Sequence, residues 1–363
     1  MSLLRLILQR TPRKREAKLQ QTAVDSPATP RLRSAGILLT YKCSARCRHC
    51  RYACGPHKGG LIPLEKAGEY FSALKRLGVP SEGIQVTGGE PLLYAGHLRN
   101  ILRVFLEIYG NAVGVLETNG FWCRDESRTR KVLDVLKGLT RRVRFSRDAY
   151  HAEWVPVSFV DRGFRLASEV IEGRQAQLRN NVRPVVAQRV AELVKAGGRR
   201  LSMTGNAAYA IAPYLRRRRA EAFKAKRCMD ELFTGFHSIH LDPYGNVFFG
   251  SRCIGILAGN ADRTEGGLVE VIRKAQDPAR FRENPIVKVL VDEGPLGLLR
   301  LAERLGYKRE KGYASHCHMC HLVRSHLVSK GYFGDFLGPE EVYLPTSDKE
   351  LDPMVRLKAE QRT

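Results

Sequence analysis

Cys43, Cys47 and Cys50 stand in the run TYKCSARCRHCRY at C-x3-C-x2-C spacing, just after the apolar stretch 35–39. A loop this short can turn three thiolates inward onto one metal cluster. It supplies three ligands where a closed structural site needs four. An iron–sulfur cluster held by three thiolates keeps one iron open to another molecule. A zinc knuckle with His49 as the fourth ligand is the alternative, although zinc ligands usually come as C-x2-C with a second pair further on.

More residues capable of chemistry follow. Gly88, Gly89 and Glu90 lie in IQVTGGEPLL at the end of a short apolar strand, where two glycines let a ligand approach the backbone closely. Glu117-Thr118-Asn119-Gly120 closes a second such strand. Ser146-Arg147-Asp148 closes a third, with His151 shortly beyond. Ser146 and Asp148 could equally cap the helix expected near 157–171. His151 is expected at the surface, with a substrate contact as the other reading.

These motifs, in this order, resemble the radical S-adenosylmethionine (radical SAM) superfamily. The resemblance covers about residues 35–205. It implies a [4Fe–4S] cluster on Cys43, Cys47 and Cys50, whose open iron chelates the amino and carboxyl groups of S-adenosylmethionine. An electron from the cluster then cleaves that cofactor to a 5′-deoxyadenosyl radical. By the same resemblance, Gly88, Gly89 and Glu90 hold the amino group of S-adenosylmethionine. Thr118 and Asn119 belong to a turn ending the third barrel strand. Ser146 and Asp148 match a position contacting the ribose or carboxylate.

The second half carries its own cysteines. Cys228 follows a basic run, Cys253 follows the apparent hairpin IHLDPYGNVFFGS, and Cys317 and Cys320 form a C-x2-C pair in SHCHMCH. Four thiolates can close a cluster or a zinc site. The set resembles the SPASM/twitch extensions of radical SAM enzymes, which implies one auxiliary [4Fe–4S] cluster. The spacing between Cys228 and Cys253 departs from the usual pattern, and His316, His318 or His321 could replace Cys228 as a ligand. Cys54 and Cys123 are read as buried inert thiols, or as hydrogen donors to a substrate radical.

Positioning these residues takes strands that end where the motifs begin. Apolar strands are expected at 36–40, 83–87, 112–117, 142–146, 177–181 and 199–203. Helical patterns lie near 63–77, 98–109, 128–139, 157–171 and 184–195. Short strands alternating with longer helices build parallel β/α units. Six units fit the partial (β/α)6 TIM-like barrel that the resemblance implies, with a smaller C-terminal α+β iron–sulfur domain. The expected divisions are a basic arm at 1–33, the barrel at 34–212, the auxiliary-cluster domain at 213–345 and a tail at 346–363.

Bulk properties narrow the alternatives. With 43% hydrophobic and 27% charged residues, the 363-residue chain reads as globular. No apolar run approaches the roughly 18 residues of a membrane span. MSLLRLILQR is broken by Arg5 and lacks the features of a signal peptide. Cysteines clustered at metal spacing point to a reducing cytoplasm. The net charge of +24 favours polyanions, and residues 1–34 hold eight basic and two acidic side chains. A second basic run, Arg216–Arg219 with Lys224, Lys226 and Arg227, is expected on a helix.

The resulting expectation is a radical SAM oxidoreductase that abstracts a substrate hydrogen. An auxiliary cluster would aid oxidation, epimerisation or crosslinking of a peptide or small molecule, and an electron donor such as flavodoxin or ferredoxin would supply the cluster. The alternatives are a radical SAM enzyme modifying RNA, and a non-catalytic zinc-dependent nucleic-acid-binding protein. No RNA-recognition motif accompanies the charge.

Overall fold

A computed structural model describes residues 32–171, 176–179, 203–226, 228, 237–250, 254–277 and 279–343. The first half alternates strands and helices: β1 (Ser34–Leu38), α1 (Leu64–Arg76), β2 (Ile84–Thr87), α2 (Ala95–Tyr109), β3 (Val115–Thr118), α3 (Glu126–Leu136), β4 (Val143–Ser146), α4 (Ala149–Ala152), α5 (Val157–Val170) and β5 (Ala176–Arg179). Then come α6 (Asn206–Ala210), β6 (Ser238–Leu241), β7 (Asn246–Phe249), β8 (Leu257–Asn260), α7 (Gly267–Gln276), α8 (Pro285–Asp292), α9 (Gly294–Arg304), α10 (His316–Ser329) and α11 (Glu340–Tyr343).

The helices form because their apolar residues recur at three- and four-residue steps. In α2 these are Leu98, Ile101, Leu102 and Phe105, all buried. Gly110 ends α2 at φ 71°, and its N–H donates to the Leu106 carbonyl. That left-handed stop suits glycine. Phe71 of α1 meets Phe105 edge-on at 4.9 Å, locking the two helices together.

One sheet runs β5-β4-β3-β2-β1-β6-β7-β8. β1 to β6 pair in parallel, and β6, β7 and β8 pair antiparallel. The result is an α/β partial barrel. The strand paired with the free side of β1 is β6, drawn from the segment expected to be only a hairpin. The expected strand at 199–203 and helix at 184–195 fall mostly or wholly outside the described residues, as do the arm and the tail. So do Arg227 and Cys253.

The β6–β7 turn is fastened by a buried carboxylate. Asp242 accepts from the backbone N–H groups of Tyr244 and Asn246, from Asn246 Nδ2 and from Tyr41 Oη, each at 2.9 Å. Tyr41 lies two residues before Cys43, so this bond ties the hairpin to the cysteine loop. Burial, opposed by those hydrogen bonds, pushes the Asp242 carboxyl up from 3.8 to about 6. A raised folded value means that the native state holds the extra proton. Its stabilising effect is complete below pH 3.8 and is lost as pH rises through about 6. The unfolding free-energy difference between wild type and Asp242→Asn should therefore shrink over that interval in urea titrations. A difference that is flat or grows with pH would refute this assignment.

The basic run at 216–219 does not form the expected helix. Arg218 and Tyr313 instead exchange backbone hydrogen bonds of 2.9 and 2.8 Å as an antiparallel bridge. Four consecutive exposed arginines leave no apolar stripe for a helix to bury. Among the described residues, no helix is long and apolar enough to cross a membrane.

Candidate active site

Parallel strands carry their chemistry at the C-terminal ends. Here β1 runs into the cysteine loop, β2 into Gly88-Gly89, β3 into Asn119 and β4 into Arg147-Asp148. A cavity of about 560 Å³ opens between them, lined by Cys43, Cys47, Cys50, Gly88, Gly89, Thr118, Asn119 and Ser146. Glu90 and Asp148 do not line it.

The three cysteine sulfurs occupy a made-to-measure backbone. The N–H groups of Ala45 and Cys54 donate to Cys43 and Cys50 sulfur, each at 3.4 Å. Asn119 Nδ2 lies 3.7 Å from Cys43 Sγ and 3.0 Å from Ser44 Oγ. Burial pushes the Cys43 and Cys47 thiols far up, and the neighbouring acidic groups add to this. Hydrogen bonding with Cys54 draws the Cys50 thiol down to about 6, against its burial. Buried thiols that hold their protons need a positive centre to become ligands, and they release those protons when it binds. Three cysteines lining one cavity, with N–H groups donating to two of the sulfurs, fit a cluster held by three thiolates.

Two supporting segments hold this loop. Gly89 N–H donates to the Thr40 carbonyl at 2.7 Å, and Glu90 N–H donates to the Lys42 carbonyl at 2.9 Å. A Cβ on Gly89 would fall on the Lys42 carbonyl. The glycine pair thus admits a close backbone approach, and what approaches is the chain's own cysteine loop. Gly88 carries the positive φ, 134°. Gly205 and Asn206 brace the far side: a Cβ on Gly205 would strike the Cys50 and Arg51 carbonyls. Asn206 donates to Cys50 and Cys47 carbonyls, from its backbone N–H at 2.9 Å and from Nδ2 at 3.1 Å.

Glu90 is wholly buried. Its carboxylate accepts from Thr118 Oγ1 at 2.9 Å, Asn119 N–H at 2.7 Å and Leu92 N–H at 3.1 Å. Burial outweighs those bonds and pushes its carboxyl up to about 7. Glu90 therefore fixes the Thr118-Asn119 turn from behind the cavity wall.

Asp148 has a similar place. It caps the short helix α4 by accepting from Tyr150 and His151 N–H, each at 3.0 Å, rather than capping the longer α5. Its other oxygen lies 2.9 Å from His151 Nδ1 and 3.3 Å from His49 Nε2. Burial would raise Asp148, but the two imidazoles outweigh it and hold the carboxyl well below the usual range. The clamp turns His49 and His151 toward the cavity, which both of them line. His151 is therefore not the surface residue its sequence position suggests.

Among the described residues, the one group of three donor atoms within 4.8 Å of one another is Cys47, His49 and His151. It contains a single cysteine, Cys47; Cys43 and Cys50 are not among its donors. Cys54 lines the cavity, whereas Cys123 is buried away from its wall. Sequence reasoning named Glu117 only as part of its turn and missed Arg144 and His240; the three face the cavity from β3, β4 and β6. The signal for Arg144 and His240 was a polar residue between apolar neighbours in a four-residue strand.

In the C-terminal half, Cys317 and Cys320 occupy the start of α10, half-buried and buried respectively. Ser315 caps this helix, accepting from His318 N–H at 3.1 Å. Burial, with the Arg217 charge, pushes His318 down to about 4. His321 is buried between Tyr209 and Tyr343. Cys228 is buried, with its N–H 3.4 Å from the Leu290 carbonyl.

Several solved structures resemble this chain at low identity. BtrN in complex with AdoMet and 2-DOIA shares 13% identity at TM-score 0.41, over 73% of this chain and 89% of its own. The anSMEcpe structure with AdoMet and the Cp18Cys peptide shares 14% at TM-score 0.42, over 71% and 84%. SuiB of Streptococcus suis bound to S-adenosylmethionine shares 13% at TM-score 0.38, over 79% and 76%. No curated protein sequence matches. Residues 37–173 match the family model of the radical SAM superfamily. That span begins in β1, takes in the three-cysteine loop and ends past the His151 clamp, so it is this segment that is similar to the radical SAM superfamily.

Proposed function

We propose that the chain is a radical SAM oxidoreductase acting on a peptide or small molecule within the barrel. Cys43, Cys47 and Cys50 would hold a [4Fe–4S] cluster, which supplies the electron that cleaves S-adenosylmethionine to a hydrogen-abstracting radical. The observation carrying this reading is that Cys43, Cys47 and Cys50 line one cavity together with Gly88, Gly89, Thr118, Asn119 and Ser146. The rim residues would contact S-adenosylmethionine. Glu90 and Asp148 would act behind it, holding the Asn119 turn and the His49–His151 pair. A low-potential donor such as flavodoxin or ferredoxin, in a reducing cytoplasm, would complete the cycle.

Cys228, Cys253, Cys317 and Cys320 are proposed to hold one auxiliary cluster in a SPASM/twitch-like region. It would accept the second electron of an oxidation or assist epimerisation or crosslinking. Replacing Cys317 and Cys320 by alanine should remove about four irons and leave deoxyadenosine formation uncoupled but intact. Substrate turnover should fall by about a hundredfold, the scale of losing an essential metal-site partner. Full iron content in that variant would remove the pair from the ligand set. Normal turnover with half the iron would reduce the second cluster to a structural staple.

A further inference from the structure

The cavity reaches below the rim, and its deeper wall has the wrong chemistry for a packed barrel core. Barrel interiors are ordinarily filled by Val, Ile and Leu. Here the inward residues are Gln85 and Thr87 on β2, Glu117 on β3, Arg144 on β4, and Ser238 and His240 on β6. Their apolar neighbours Ile84, Val86, Leu116, Phe145 and Ile239 point into the outer core.

Three of these residues join across three strands. Thr87 Oγ1 donates to Glu117 Oε2 at 2.9 Å, and Arg144 Nη1 donates to Glu117 Oε1 at 2.9 Å. Glu117 and Arg144 are register partners on β3 and β4. Arg144 lies two residues before Ser146, and Glu117 two before Asn119. Glu117 and Arg144 thus sit roughly 6–7 Å below Asn119 and Ser146 at about 3.3 Å per strand residue. Beneath them, the His240 ring covers Gly36, its register partner on β1, where any Cβ would collide with it.

An ion pair with side chains 15% and 25% exposed has lost much of its hydration. An apolar pair of similar volume often does as well or better for stability alone. We propose that Thr87, Glu117 and Arg144 form the substrate-reading belt of this enzyme, selecting a group that presents a hydrogen-bond donor beside an acceptor, such as an amino-acid zwitterion or a peptide amide. The Glu117 carboxylate takes the donor and the Arg144 guanidinium takes the acceptor. A ligand with one such group adds a partner to one member of the pair, and a wholly apolar ligand adds none. This inference rests on the radical SAM reading, which assigns the rim to S-adenosylmethionine and leaves the belt for substrate.

The test uses the anaerobically reconstituted protein with S-adenosylmethionine bound. The probes are the free L-amino acids, their N-acetyl amides, and toluene as the apolar control, with binding read from thermal stabilisation. At least one amino acid or amide should bind wild type, and toluene should not. E117Q and R144M should each weaken that probe by at least about tenfold, the scale of one hydrogen bond to a charged group. Iron content and S-adenosylmethionine affinity should stay at wild-type values. E117V/R144L, an apolar replacement of the pair, should fold, keep iron and cofactor, and bind none of the polar probes. The proposal is overturned if no polar probe binds wild type, or if the variants bind it unchanged. Loss of S-adenosylmethionine affinity with iron retained would assign the belt to the cofactor. Failure of E117V/R144L to fold would make the belt structural. A wild type that holds no iron or binds no S-adenosylmethionine would overturn the radical SAM reading itself, before any belt variant is tested.

Discussion

Replacing Cys43, Cys47 and Cys50 together by alanine should cut the iron of the reconstituted protein from about eight atoms to about four, two [4Fe–4S] clusters becoming one. With dithionite and S-adenosylmethionine, wild type should release 5′-deoxyadenosine and the variant none. The effect should be all-or-none because these cysteines share one loop and line one cavity. Burial pushes the Cys43 and Cys47 thiols up, so they keep their protons until a metal centre displaces them. Iron quantification and chromatography of the nucleoside decide the matter. Deoxyadenosine made by the triple variant would refute the cluster assignment.

Gly89→Val should cost nearly as much, through the protein rather than through the ligand. The new Cβ would fall on the Lys42 carbonyl and lie 3.0 Å from that of Tyr41. Backbone atoms cannot swing aside as a flexible side chain does. The cysteine loop must move, and overpacking of this kind costs about 3 kcal/mol. The variant should lose most of its first cluster, and S-adenosylmethionine binding with it. Gly96→Val is the control, since nothing lies within 4 Å of a Cβ there. Iron analysis and a cofactor binding curve on both variants test this. A Gly89→Val protein with full iron and weakened cofactor affinity would show that the residue meets only the ligand.

What was legible in the sequence was whatever is local. The three cysteines declare themselves by spacing, and the β/α alternation by short apolar runs separated by helical patterns. The Asp242–Asn246 turn is likewise written in a few adjacent residues. Side-chain direction within a four-residue strand was harder. VLET and VRFS read as apolar strands, yet Glu117 and Arg144 are the members that turn inward. Contacts across long stretches of chain left no trace. Nothing near Cys50 announces that Gly205 and Asn206 will brace it. Nothing near His49 shows that Asp148 will hold it beside His151. Nor does the Gly88-Gly89-Glu90 motif show that the Glu90 carboxylate will bond to the Thr118-Asn119 turn.

The pairing of β6 with β1 has a consequence for how the molecule is made. β1 is among the first strands synthesised, and one of its edges stays open until Ser238–Leu241 arrives some two hundred residues later. Until then an apolar strand edge waits exposed, a state that invites association with other chains. The Tyr41–Asp242 bond and the Gly205–Asn206 brace come equally late, so the cysteine loop reaches its final shape only after most of the chain has emerged. The cradle is therefore complete only once Gly205–Asn206 and Ser238–Leu241 are in place.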